Sequence, residues 1–211
     1  LGQDALTVKA DAHDRQTLLL GYPSVTPTDA YIAKSVKIES GAKSALDPNS
    51  VQTITPYVDA DVPGIDLAVP GITVVDAERT FWDKVVILHG LRRWYDIRGL
   101  LRGNGQRISR HYYDLFRMLQ SDSGKAATKD AALGADCVAH ARMFFNRPDF
   151  DLASAQPPTF ALCPDGAMVD DLRQDYRAMS VMIFGEPPEF DAVIEAIAAL
   201  EAELNAQGAQ L

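Results

Sequence analysis

The apolar positions of the first third of the chain fall in short strand-like runs, and those of the remainder take a helical period. In residues 34–40 (KSVKIES), Val36 and Ile38 fall on one side and Lys37 and Glu39 on the other, which predicts a half-buried strand. Strands are also predicted over 5–9, 16–21 and 53–58, with Pro56 favouring an edge position, and a buried one over 72–75. The ADAHDR and GYPSVTPTDA stretches read as a turn and a loop. At Asp76 the period changes. Asp76 suits the N-cap of a helix through AERTFWDKVVILHG, with Phe81, Val85 and Leu88 in one stripe and Gly90 as the stop. A Gly- and Arg-rich connector is expected over 91–107, then helices near 108–120, 127–146, 166–183 and 188–207. This order gives the α+β class, with a β-rich unit over 1–76 and a helical one over 77–211.

Composition narrows the classes. The 211 residues carry 20 Lys+Arg against 29 Asp+Glu, a formal net charge of −9. That excludes a protein that coats nucleic acid with its whole surface. The acidity is uneven, however: six arginines against one aspartate over 92–110 leave +5 there and −14 elsewhere. Two cysteines, Cys137 and Cys163, cannot form a disulfide framework, and a reducing cytoplasm is expected. No apolar run approaches the roughly 20 residues that cross a bilayer, and the first residues have no signal-peptide pattern.

Several side chains have the chemistry for a site, each beside a plainer role. Glu39 is displayed from a strand, where a carboxylate can hold Mg²⁺ or can simply be solvated. Asp59 and Asp61 form a D-x-D pair, but the prolines that follow make 59–70 a loop. Cys137 and His140, three apart, are too few ligands for a zinc site. Lys84 interrupts an apolar helix, either as a point charge for phosphates or as an edge lysine reaching for water. In SRHYYDLFRML, Arg110 and Asp114 are i,i+4 neighbours that can pair on the surface, while Asp114 and His111 can instead face a ligand. Arg92, Arg93 and the other connector arginines, with Trp94 and Tyr95 among them, can meet phosphates and bases or pair with acidic helices.

Three stretches resemble one family. VKIESGAKS (36–44), ITVVDAERTFWDKVVILHG (72–90) and SRHYYDLFRML (109–119) are similar, in order and spacing, to the AbiEii/AbiGii toxin family of nucleotidyltransferases. FFNRPDFDLA and FGEPPEFDAVIEAIAALEAELN resemble the helical end of the same family. The resemblance implies part of a polymerase-β-type mixed sheet followed by a helical domain. It also implies a cytoplasmic toxin of an abortive-infection toxin–antitoxin pair, moving a nucleotide from an NTP to an acceptor, tRNA for some relatives, with Mg²⁺. By matching motif, Lys84 corresponds to the functional lysine of the family's third motif and Asp114 to the aspartate of its fourth. Glu39 falls where a third carboxylate of the sheet is expected, as a metal ligand. Arg92, Arg93, Arg110 and His111 then become contacts to nucleotide or RNA. The family's Gly-Ser turn and metal-binding D-x-D are absent from residues 1–35. The expectation is therefore a C-terminal portion, inactive by itself. The alternative is a non-catalytic module that binds RNA or protein.

Overall fold

The change of period at Asp76 is a change of architecture: the last strand ends at Val75 and the first helix begins at Ala77. The computed structural model describes residues 6–12, 16–24, 33–105 and 107–207. Strands β1 (Thr7–Ala10), β2 (Thr17–Gly21) and β3 (Ser35–Glu39) form an antiparallel sheet in that order. β4 (Asn49–Ile54) and β5 (Val69–Val75) form an antiparallel pair. Helices α1 (Ala77–Arg98), α2 (Ser109–Leu119), α3 (Asp122–Ala127), α4 (Ala131–Phe144), α5 (Ala167–Met179) and α6 (Phe190–Ala206) follow. The protein is α+β, strands first. Residue 5 of the first expected strand, residues 13–15 of the turn and 25–30 of the expected loop lie outside the described residues.

Burial separates the two parts. The core is helical: Phe81, Val85 and Leu88 of α1 are buried with Tyr112 and Leu115 of α2, Leu172 of α5 and Val193, Ile197 and Leu204 of α6. The three-stranded sheet, by contrast, exposes its apolar face. Val8, Leu18, Val36 and Ile38 share that face by register and are all exposed. The half-buried strand expected over 34–40 is thus an exposed one, and Val74 and Val75 are the only partly covered residues of β5. The expected strand over 53–58 is shifted towards the N-terminus, with Tyr57–Asp61 forming a 3₁₀ turn.

Two glycines explain how α1 packs. Gly90 does not end it. α1 runs on to Arg98, and Gly99 (φ 65°) supplies the left-handed cap, donating its N–H to the Tyr95 carbonyl at 2.8 Å. Gly90 instead lets the Phe150 ring close onto the helix, 3.3 Å from where a Cβ would stand. Gly134 admits the Trp82 ring to α4, 2.9 Å from the corresponding point. Trp82 Nε1 donates to the Ala127 carbonyl at 2.9 Å, tying α1 to the end of α3. Asp76 holds the N-cap position of α1, but its carboxylate accepts from Ser50 Oγ at 2.7 Å and caps no helical N–H. That bond fixes the β4–β5 pair to the start of the helix. The helix expected over 127–146 is α4, which Asp130 starts as its N-cap, and the short α3 before it was not expected.

Candidate functional site

The lysine inside α1 meets the acid of α2. Lys84 Nζ donates to Asp114 Oδ2 at 2.5 Å and stands 3.2 Å from His111 Nδ1. Three helical facts make this possible. Lys84 stands two turns into α1, on the side that packs against α2. His111 and Asp114 are three apart on α2, hence neighbours on one face. Tyr112 and Leu115, beside them, are fully buried and anchor that face. The surface pair expected between Arg110 and Asp114 does not form, because Asp114 turns to Lys84; Arg110 is exposed, with no carboxylate partner among the described residues.

The electrostatics follow from this packing. Burial, and then the positive charges of Lys84 and Arg110, lower the His111 pKa from 6.5 to about 3. His111 is therefore neutral at pH 7, and Nδ1 accepts a hydrogen bond from the ammonium. An ammonium has three donors. Among the described residues Asp114 and His111 take two of them. The Lys84 side chain retains 19 % of its exposure and that of Asp114 38 %, so solvent and ligands reach the pair.

The position of α2 is set from beneath. Ile108, at the N-cap position, has no side-chain oxygen to offer. Asp175 of α5, buried, replaces it: it accepts from Arg107 N at 2.8 Å and from Ser109 N and Ser109 Oγ at 2.7 Å. Sequence reasoning missed Asp175, since a cap 66 residues away leaves no local signal. It also missed Arg79, 1 % exposed, whose guanidinium reaches Asp136 at 2.7 Å, Asp83 at 3.3 Å and the Asp47 carbonyl at 3.2 Å. The i,i+4 spacing of Arg79 and Asp83 was a signal that could have found part of this network.

The other predicted site residues lie apart from Lys84. Glu39 is exposed on β3, an edge of its sheet rather than a central strand, and pairs with Lys37. Asp59 accepts from Leu67 N at 2.9 Å and organises the loop that follows. Among the described residues no group of three His, Cys, Asp or Glu side chains is placed to hold a metal. The described residues therefore do not by themselves assemble a Mg²⁺ site around Glu39. Cys137 is buried in the core, where burial pushes its thiol up to about 12. The arginine connector is mostly helix. Arg92 reaches Asp96 and Asp165, Arg93 the Asp151 carboxylate and the Thr159 carbonyl, and Arg98 Asp149. Each of the three thus has a carboxylate of the chain itself beside it.

The stretches that supply the Lys84–Asp114–His111 cluster are those with the family resemblance. The family model for the nucleotidyl transferase AbiEii toxin, type IV toxin–antitoxin system, matches residues 2–196. The chain belongs to this family. No curated protein and no solved structure matches it. An AbiEii nucleotidyl transferase toxin is an enzyme of a toxin–antitoxin system, and the matched span includes Lys84, His111 and Asp114. No helix among the described residues is long and apolar enough to cross a membrane.

Proposed function

We propose that this AbiEii chain carries the phosphate-neutralising half of a nucleotidyl-transfer site, with Lys84 as the group that meets the NTP. The observation that carries the reading is the Lys84–Asp114–His111 cluster, in which the ammonium has two partners among the described residues. In the transfer, an acceptor hydroxyl oxygen bonds to the α-phosphorus, the bond to the bridging oxygen of the β-phosphate breaks, and pyrophosphate leaves with the electron pair. The hydroxyl proton passes to solvent. Negative charge accumulates on the leaving pyrophosphate, and a fixed ammonium there stabilises the transition state more than the ground state. Asp114 and His111 position Lys84 rather than react. Because His111 is neutral, it orients the ammonium without adding a like charge.

The acceptor in this proposal is RNA, with tRNA as the first candidate, and the setting is the cytoplasm beside a cognate antitoxin. Mg²⁺ is part of the chemistry the family implies. Its carboxylates would come from outside the described residues, so transfer by this chain is expected to depend on them. The test is growth of cells expressing the whole open reading frame without antitoxin. Wild type is expected to arrest growth, and Lys84→Ala and Asp114→Ala to restore it at equal protein level. Continued arrest by both variants would remove the roles given to this cluster.

A further inference from the structure

α1 presents Lys84 to α2 on one face and borders a cleft with another. Thr80, Asp83, Ile87 and Gly90 recur at helical spacing along that second face and line a cleft of about 500 Å³, the size of a small-molecule site. Phe145 beyond α4, Phe150 and Leu152 of the 3₁₀ turns and Val75 at the end of β5 form the other walls. The missing side chain at Gly90 lets Phe150 seat against the helix, so the lining is apolar and partly aromatic. Besides Asp83 and Arg102, its polar side chains are Ser44, Thr80 and His140. A ligand rich in hydroxyls or base edges would bury groups it could not pair, at about 1–3 kcal/mol each.

The two charges of the lining differ in what answers them. Asp83 pairs with Arg79 at 3.3 Å. Arg102 has no carboxylate partner among the described residues, unlike Arg92, Arg93 and Arg98. Its guanidinium lies 5.2 Å over the Phe150 ring centroid, and its exposure puts it where the cleft opens to solvent. Burial, and then the charge of Arg147 outside the lining, lower the Arg102 pKa. The guanidinium is thus partly stripped of water and stands near a like charge, and one negative charge set against it offsets both.

We propose that this cleft binds an amphipathic carboxylate, with an apolar body against Ile87, Phe145 and Phe150 and the carboxylate on Arg102. The apolar body matches the walls, and the single charge matches the one unanswered guanidinium among them. A fatty acid and an aromatic acid share this chemistry, and binding tells them apart. The assignment holds whether or not Lys84 meets an NTP, because it uses neither Lys84 nor the face of α1 that packs on α2.

The experiment is calorimetric titration of the protein with decanoate, indoleacetate and decanol, repeated with Ile87→Trp and Arg102→Gln. Ile87 and Arg102 are exposed, so an unchanged thermal midpoint is expected and is checked first. Should Ile87→Trp melt early, Arg102→Gln carries the test. At least one of the two acids is expected to bind, one molecule per chain, and the tighter of them names the apolar body. Arg102→Gln should weaken it by about tenfold. Decanol, which lacks the charge, should bind more weakly than decanoate and be indifferent to Arg102→Gln. Ile87→Trp fills the cleft and should weaken the acid by about tenfold or more. The proposal is overturned if neither acid binds saturably. It is also overturned if binding survives both substitutions, as it would on the exposed apolar face of β1–β3. Displacement of the bound acid by AMP would give the cleft to a nucleotide and overturn it too.

Discussion

Asp175 holds the candidate site together from a distance, and its removal has a calculable cost. Its carboxylate is 5 % exposed and accepts three hydrogen bonds, two from backbone N–H groups and one from Ser109 Oγ. Asp175→Ala removes all three and leaves the buried Ser109 donors without an acceptor. A hydrogen bond to a charged group contributes about 1.5–3 kcal/mol net, and each orphaned buried donor costs about 1–3. Releasing a buried carboxylate offsets part of that. The expected loss is about 3–4 kcal/mol for Asp175→Ala and about 2 for Asp175→Asn, which keeps one acceptor oxygen. Urea unfolding followed by the fluorescence of buried Trp82 measures it, with a midpoint shift of about 1 M or more for Asp175→Ala. The second readout is the NMR titration of His111, two residues beyond Ser109. If α2 loosens, His111 leaves Lys84 and its pKa climbs from about 3 towards 6.5. A loss under about 0.5 kcal/mol with an unmoved His111 would refute the capping argument.

Acid should weaken the fold through its buried histidines. The His89 pKa is lowered by burial, and that of His111 to about 3, so as pH falls through 6.5 the unfolded chain takes up protons first. Stability is therefore full above that point and declines towards pH 3, and His111→Asn should flatten the decline by one proton's slope, about 1.4 kcal/mol per pH unit. Urea midpoints measured from pH 8 to 4 check the slope. The glycines make a paired prediction for thermal melts. Gly124→Ala places a Cβ 1.9 Å from the Met118 carbonyl oxygen and should destabilise by about 3 kcal/mol. Gly90→Ala meets only the movable Phe150 ring at 3.3 Å, and about 1 kcal/mol of helix propensity offsets the contact.

How far the sequence reached depends on the range of each interaction. Helical periodicity located α2 and α6 within two residues, because their buried stripes recur locally. Lys84 stood out as a charge among apolar neighbours. Its partner did not: the local rule paired Asp114 with Arg110, and a contact across 30 residues overrode it. Gly90 was misread for the same reason. A glycine two residues before an arginine run looks like a stop, and Phe150, brought from 60 residues away, explains its presence inside a helix. The arginine run was legible as charge but not as structure, since its aspartate partners are scattered over 96–165. The exposed apolar face of β1–β3 contradicts the alternation rule outright, because that rule locates a face without saying what covers it.

The central claim is that Lys84, held by Asp114, neutralises phosphate during nucleotide transfer. The most direct measurement is incorporation of α-³²P-labelled NTPs into total RNA by protein from the whole open reading frame. Wild type should label RNA with at least one NTP, and Lys84→Ala should reduce the rate by about 10²–10³, the loss typical of one electrostatic transition-state donor. Asp114→Asn should lie between the two. Labelling by Lys84→Ala at the wild-type rate would contradict the account.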